Sequence, residues 1–506
     1  MEKQPVYEEI KFGALTPVTV TQAVVEARLL PQPSEDIARV LSITAVSSVN
    51  GIEAFNGEAR FNGRVDFKVL YADNNGKNRV LSCSMEFSDK TESDKIKPDT
   101  ILWANSTVID TDAVSLKSDE IKLASVVEIS VLAVSKESVN YLSAGGEGVY
   151  TQEEKVEFSR FIASGKSVFT EECAIESAPF SAVLLAEHRV IITSASSERD
   201  LITVGGVIVS DITGETEDGL ITAVRVETPF TEEVGANEVR SGDFIVTRAT
   251  VSGENQLVEG EKGNKVIVSY ALEVKFLAFA SESKTVVTDA FLPTHELICE
   301  RKKVEVERRK DCVTVYERVE GSVTFKEGAP IVDSILATTG FTVAVSNAVA
   351  YESEALIEGM VSGNILYYSA EENKKCSVSV ELPFSIRLGV SALEQSDSIN
   401  AYGCVNLVTT KIRRANEIDV RAEVVFKIDI VNKKESLLIC GMERGKELTL
   451  PTSAISVHIV SHRETLWDVA KALGATPELI MKQNPNLVLP LSAGERIILF
   501  RHLDKN

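Results

Sequence analysis

The expected fold class of most of this chain follows from residues Gly63–Phe87, GRVDFKVLYADNNGKNRVLSCSMEF. Apolar and polar residues alternate through Val65–Val69, which is the pattern of a half-buried β-strand. The residues DNNG at Asp73–Gly76 predict a turn, because Asn and Gly tolerate positive φ. A second alternating run, Val80–Phe87, completes a predicted β-hairpin.

The same hairpin pattern occurs twice more along the chain. Val207–Phe230 has its predicted turn at Thr216–Gly219, and Asn364–Phe384 has one at Glu371–Asn373. In each copy the second strand is predicted to end at a Phe. A second block of strongly β-prone residues also recurs, as Ile121–Ser138, Lys265–Ser283 and Ile418–Ser436. Matching blocks in the same order indicate a duplicated unit.

A third recurrent element begins with proline and precedes each hairpin. These segments are predicted to be short helices, since Pro is well tolerated in the first helical turn. They are Pro33–Leu41, Pro179–Leu185 and Pro330–Leu336.

These repeats divide the body of the chain into three tandem units, predicted at residues 1–148, 149–301 and 302–450. Many short strands with turn signals and few helices predict a mainly β protein built from β-sandwich or barrel-like domains. The basic run Glu300–Asp311, ERKKVEVERRKD, alternates Val with charged residues and is predicted to be an exposed strand that enters the third unit.

Bulk composition narrows the function classes. The net charge of −22 over 506 residues argues against a nucleic-acid partner, because such affinity depends on cationic neutralisation of phosphates. The seven cysteines are scattered without a C-x-x-C pair, which favours free thiols in a reducing compartment. The first residues, MEKQPVYEEIKF, have no apolar core of a signal peptide, and no run is long enough to span a membrane. We therefore expect a cytosolic protein without direct membrane insertion.

No catalytic constellation stands out in the sequence. The body contains only His188 and His295, neither of them in a zinc-binding spacing, and there is no nucleophile elbow or phosphate loop. The 75 carboxylates are too many for any one pair to indicate acid–base chemistry. We predict no catalytic residue, no metal site, no cofactor and no enzyme activity.

The C-terminal stretch His458–Phe500 has a different pattern. Thr465 and Asp468 form a predicted capping box for a helix that stops at Gly474. Thr476-Pro477 begins a second helix, which is predicted to end before Pro485. With a strand on each side, the result is a predicted βααβ module at residues 455–501.

This module resembles the LysM domain. The resemblance is carried by Glu464–Ala470 (ETLWDVA) and by Asn484–Leu487 (NPNL). LysM domains commonly bind polymers of N-acetylglucosamine in a shallow groove between two loops. The resemblance implies a partner- or glycan-binding groove lined by His462, Arg463, Glu464, Thr465, Leu466, Ile480, Asn484, Pro485 and Asn486.

The chain departs from the LysM pattern at one loop. The family usually has Gly-Asp before Thr-Leu, whereas this chain has Arg463-Glu464. Loss of the Gly removes permissive backbone, and His462 and Arg463 add bulk and charge, which disfavours sugar binding. Trp467 is open to two interpretations, a stacking platform or a core residue, of which we favour the core.

The module also differs from the body in charge. From Val457 onward six Lys or Arg residues stand against five Asp or Glu residues, so the module carries +1 and the remainder −23.

The repeated body with a LysM-like end resembles the SPOCS (DUF3794) family of spore-forming Firmicutes. The points of resemblance are the Pro-led segments, the Leu-Tyr pairs Leu70-Tyr71 and Leu366-Tyr367, and the Pro-Phe pairs Pro229-Phe230 and Pro383-Phe384. The resemblance implies a scaffold in the mother-cell cytoplasm that localises to the forespore surface and the spore coat. Its LysM domain is expected to dock the coat-basement ATPase SpoIVA.

Two other functions remain open at the sequence level. One is a peptidoglycan-binding protein that targets the spore cortex or cell wall through the LysM-like module. The other, a wall hydrolase with a LysM anchor, lacks a catalytic constellation in the sequence. Self-association of the body is also left open.

Overall fold

The structure is a computed structural model that describes residues 4–32, 36–117, 119–259, 265–448 and 454–501. Among the described residues, all regular secondary structure is β-strand except for two short helices near the C-terminus, which confirms the mainly β prediction. Each of three consecutive units contains six strands.

The strand bounds follow the chain order. The first unit has β1 Val6–Leu29, β2 Ile37–Phe55, β3 Glu58–Asp73, β4 Asn78–Glu92, β5 Ile101–Lys117 and β6 Glu120–Ala144. The second has β7 Tyr150–Ile175, β8 Ala182–Glu198, β9 Leu201–Glu215, β10 Ile221–Gly235, β11 Phe244–Glu259 and β12 Lys265–Phe291. The third has β13 His295–Thr324, β14 Ser334–Tyr351, β15 Glu354–Ser369, β16 Lys374–Gly389, β17 Asp397–Arg414 and β18 Glu417–Glu447.

Every unit has two antiparallel sheets of three strands, arranged in the same way. In the first unit the strand orders are β1-β6-β5 and β2-β3-β4. The second unit has β7-β12-β11 and β8-β9-β10, and the third has β13-β18-β17 and β14-β15-β16. In each unit the two sheets pack against each other around one apolar cluster. A three-stranded sheet needs such a cover, because its apolar face must be buried.

The strands also locate the junctions between units. The predicted junction at 148/149 falls between β6 and β7. The predicted junction at 301/302 falls inside β13, which already begins at His295, so the basic run lies within a continuous strand. The end of the third unit at residue 450 lies outside the described residues.

The three predicted hairpin turns are confirmed. Gly76 and Gly219 adopt φ of 77° and 76°, and Asn373 adopts 48°. The prediction that the second strands end at Phe was wrong, because β4, β10 and β16 each continue past that residue.

Each of these phenylalanines instead lies over a glycine on the neighbouring strand. Phe87 pairs with Gly63, Phe230 with Gly206 and Phe384 with Gly359. A Cβ at Gly206 or Gly359 would come within 2.7 Å of the phenyl ring. The repeated Gly–Phe pair therefore lets a large ring lie flat on the sheet, where it is mostly shielded from water.

The three Pro-led helices were predicted wrongly. Strand β2 begins at Ile37, β8 at Ala182 and β14 at Ser334, so these segments lead directly into strands; residues 33–35 lie outside the described part. Tertiary packing explains the difference. Leu41, Leu184 and Leu185 of these segments belong to a cluster in which the three units meet, together with Leu70, Ile221, Ala337 and Leu366. A strand presents these side chains to the other units, and a short helix has little stability of its own to oppose this.

A second cluster joins the units through their longest strands. It takes residues from the start of the first strand and the end of the last strand of each unit, namely Ile10, Phe12, Val139, Tyr141, Val156, Phe158, Val286, Val304, Val306 and Leu438.

Burial in this cluster corrects the prediction that the basic run Glu300–Asp311 is an exposed strand. Val306, Glu307 and Arg309 are all at most 3% exposed, and the Arg309 guanidinium donates to Glu307 at 3.0 Å.

We expect Gly359→Ala to destabilise the body by about 1–3 kcal/mol, the usual cost of overpacking. Its Cβ would collide with the Phe384 ring and with the carbonyl oxygen of Ala344. Gly389→Ala is the matched control, since nothing lies within 4 Å of the added methyl. Urea unfolding measures both variants. Equal midpoints for the two would contradict the Gly–Phe packing.

Candidate functional site

The C-terminal module has the predicted βααβ order, with β19 Ile455–Ile459, α1 Leu466–Leu473, α2 Pro477–Gln483 and β20 Arg496–Phe500. The predicted capping box is confirmed, since the Thr465 amide donates to Asp468 at 2.9 Å and the Asp468 amide donates to Thr465 at 3.2 Å. Gly474 ends α1 with φ of 59°, and Thr476 caps α2 with Pro477 in its first turn. Local sequence signals therefore set the bounds of both helices.

The loop between β19 and α1 is held in place by Glu464. Its carboxylate accepts from the Ser461 amide at 2.7 Å and contacts His458 Nε2 at 2.9 Å. These two hydrogen bonds lower the pKa of the Glu464 carboxyl below its ordinary value, and the bond from Ser461 has the larger effect. Glu464 thus braces the loop, while His462 and Arg463 are exposed beside it.

Arg463 has φ of 64°, in the left-handed region that favours glycine. In the LysM pattern that the module's sequence resembles, Gly usually stands at this position. The backbone here has a conformation suited to Gly, but the residue carries an exposed cationic side chain. Such a conformation costs a non-glycine residue about 1–2 kcal/mol.

The loop after α2 is braced against β20 by two side-chain amides. Asn484 donates to the Ile498 carbonyl oxygen at 2.7 Å and accepts from the Ile498 amide at 2.9 Å. Gln483 donates to the Phe500 carbonyl oxygen at 3.1 Å and accepts from the Phe500 amide at 2.7 Å. Together they cover the outer edge of β20, so Asn484 has a structural role.

The predicted groove residues differ in accessibility. His462, Arg463, Thr465, Pro485 and Asn486 are exposed, whereas Glu464, Leu466 and Asn484 are half-buried. Ile480 is 0% exposed and lies in the apolar core of the module. Neither Ile480 nor the side-chain amide of Asn484 is free to contact a ligand without rearrangement.

Trp467 lies where the module meets the second unit. Its ring packs edge-on against Phe291 at the end of β12, with the ring centroids 5.1 Å apart, and its indole Nε1 donates to Asp289 at 2.8 Å. Phe291 itself is 4% exposed and belongs to the apolar core of the module. Trp467 therefore packs against apolar residues, as the favoured interpretation expects, but it is half-buried and lies between the module and the body.

Asp289 is the charged centre of this contact. Besides Trp467 it accepts from Lys471 Nζ at 2.9 Å, and Arg301 of β13 lies within hydrogen-bonding distance. Burial opposes the charge of Asp289, but the hydrogen bonds from Trp467 and Lys471 outweigh it and hold the pKa of this carboxyl below its ordinary value of 3.8.

Sequence reasoning missed Asp289 and Phe291. When the last strands of the three units are aligned on the adjacent buried residues Tyr141-Leu142, Val286-Val287 and Leu438-Ile439, the positions equivalent to Asp289 are Ala144 and Gly441. A carboxylate at only one of three repeated positions is a signal that comparison of the units could have found.

No cluster of three or more His, Cys, Asp or Glu residues suited to a metal ion occurs within the described residues. All seven cysteines are free. Across the same residues, no helix is long and apolar enough to cross a membrane.

Comparison with protein-family models, with curated proteins and with solved structures finds no match to this chain.

We expect Asp289→Asn to weaken docking of the module by about 1–2 kcal/mol, because charge-assisted hydrogen bonds are lost. Since the pKa of Asp289 is lowered in the folded chain, its contribution is complete above the ordinary value of 3.8 and is lost as pH falls through the lowered pKa. The fluorescence of Trp467, measured in a Trp103→Phe background, should therefore stay constant from pH 7 to 5 and change below pH 4.

Asp289→Asn should show altered Trp467 emission already at pH 7. The control Asp218→Asn removes an exposed carboxylate from the turn before β10 and should match the parent. Identical emission of the parent and Asp289→Asn at every pH would contradict the docking role.

Proposed function

We propose that this protein is a non-enzymatic scaffold of the spore coat, whose terminal module docks the coat-basement ATPase SpoIVA. The order of three SPOCS-like units and a LysM-like module resembles that of the clostridial spore-coat morphogenetic protein SipL. On this proposal the chain acts in the mother-cell cytoplasm at the forespore surface. The three-unit body is the platform, and the module is its partner-binding end.

The observation that carries the proposal is the conformation of Arg463. Strained backbone positions persist where the surrounding structure enforces them, and they cluster at functional sites. A glycine at φ of 64° would be unstrained, yet the chain has an exposed Arg there. A cationic side chain that projects from a braced loop suits a charged protein surface better than it suits an uncharged sugar polymer.

The charge distribution supports the same proposal. A module of net charge +1 on a body of −23 presents an electrostatically distinct surface. Complementary charge mainly raises association rates and selects partners. The fixed contact with Asp289 and Phe291 holds this surface at a defined place on the body.

The second candidate is binding of peptidoglycan. It is favoured by the βααβ arrangement and by the exposure of Thr465, Pro485 and Asn486 at the two loops that form the LysM groove. His462 and Arg463 are exposed in the first of these loops, so a glycan chain in the groove would have to accommodate both side chains.

The test compares binding of the full chain to purified SpoIVA and to insoluble peptidoglycan. We expect binding to SpoIVA, weakened about tenfold by Arg463→Ala, as for a charged contact worth 1–2 kcal/mol. Ala keeps the strained backbone and removes only the cationic side chain. Lys482→Ala is the matched control, because it removes one exposed positive charge from α2.

Binding to peptidoglycan without binding to SpoIVA would contradict the proposed function. Equal loss of SpoIVA binding in Arg463→Ala and Lys482→Ala would show that net charge, and not the loop, governs recognition.

A further inference from the structure

The small sheet of the module has an apolar surface on the side that faces away from its helices. Cross-strand partners project to the same face, and here Ile455 pairs with Phe500 and Val457 with Ile498. The exposed side chains are Ile455 (53%), Val457 (58%), Ile459 (60%), Ile498 (37%) and Phe500 (53%). We call these five residues the outer face.

An outer face of this composition is unusual for a sheet with a solvated side. Such sheets ordinarily alternate apolar residues inside with polar residues outside. In β20 the inward residues Ile497 and Leu499 are 0% and 2% exposed and already supply the core. The outer face adds exposed apolar area on the order of a few hundred Å², the size at which a patch marks an interaction site.

The backbone of β19 presents a free edge next to this face. The amides and carbonyls of Ile498 and Phe500 point away from β19, since both bind side chains of α2 and the following cap. In an antiparallel pair the residues opposite them, Val457 and Ile455, must then point their own backbone groups away from β20. In the part of the chain that the structure describes, β19 pairs with β20 alone.

The two edges of the sheet thus differ in how they are protected from pairing with a further strand. Gln483 and Asn484 cover the edge of β20 with side-chain amides. The edge of β19 carries no Lys, Asp, Glu or Pro in ISVHI, the residues that usually protect a sheet edge from pairing. An extended chain could form backbone hydrogen bonds there and cover the outer face with alternate side chains, which is β-strand addition.

Charge indicates the chemistry of the occupant. Arg496 lies opposite Ile459 at one end of the outer face, and Arg463 lies in the loop that follows β19 at that same end. Within the described residues neither guanidinium has an ion pair, and neither strand contains a carboxylate. The occupant should therefore carry an acidic residue at the end that meets these two arginines.

We propose that β19 accepts an extended segment of the partner protein as a third strand, with alternate apolar residues on the outer face and an acidic residue against Arg463 and Arg496. The identity of the partner rests on the proposed function, but the mode of binding rests on the sheet. A second copy of the chain fits less well, because pairing of two β19 edges offers no carboxylate to either arginine.

The experiment measures the affinity of the full chain for purified SpoIVA. Val457→Pro removes an outward N–H without removing a bond to β20, a place where proline is tolerated in edge strands. Val457→Thr keeps that N–H and the β-branched shape. We expect Val457→Pro to weaken binding more than about tenfold and Val457→Thr less than about threefold, as main-chain bonds supply the affinity of strand addition.

Arg496→Glu is the second variant, for the case that proline unfolds the module; it should also weaken binding about tenfold through like charge. Thermal melts establish that each variant is folded, and light scattering follows self-association. SpoIVA binding unchanged in Val457→Pro and Arg496→Glu overturns strand addition alone. A parent chain that does not bind SpoIVA overturns the proposed function. A parent dimer that Val457→Pro converts to monomer overturns the choice of occupant in favour of a second copy.

Discussion

The structure depends on the first and last strands of each unit, which extend beyond the smaller sheet that they pack against. The first and last strands of each unit have 24 to 31 residues, whereas those of the smaller sheet have 15 to 19. One part of each long strand forms the core of its own unit. The remaining part has apolar side chains that only the other units can cover, and those of all three units meet in one cluster. The three units are therefore expected to depend on one another for stability.

This arrangement also determines where the terminal module sits. Tyr150 at the start of β7 and Phe291 at the end of β12 stack on each other and contribute to the core of the module. Asp289 then fixes the module through Trp467 and Lys471. Because the polar contacts lie on α1, the outer face and the edge of β19 stay accessible. The body thus contacts the module through α1 and leaves the outer face of its sheet exposed.

The sequence predicts those features that depend on a few neighbouring residues. Turn chemistry at Asp73–Gly76 locates a hairpin, and caps at Thr465 and Gly474 locate a helix, because the backbone conformations required there are local. The Pro-led segments were predicted wrongly because their conformation is set by contacts between units, in which residues as distant as Leu41 and Leu366 pack together. Long-range packing of this kind leaves no mark in local periodicity.

The candidate site shows the same division. The βααβ order and the exposed loop at Arg463 follow from the sequence. The structural role of Asn484 does not, since its partner Ile498 is distant in sequence. The same holds for Glu307 and Arg309, which lie in a run that alternates like an exposed strand. They are buried because other units cover them: Glu307 lies beside Leu15 of the first unit, and Arg309 lies over the ring of Phe279 in the second. Sequence reasoning thus located the module, and the structure distinguishes its bracing residues from its accessible ones.

Strand addition to β19 is tested most directly by hydrogen–deuterium exchange of the full chain with and without purified SpoIVA. We expect the partner to slow exchange at the amides of Ile455, Val457 and Ile459, because an added strand binds them, while the amides of Ile498 and Phe500, already bonded, change little. Protection confined to the loops at Arg463 and Asn486, with β19 unchanged, would contradict it.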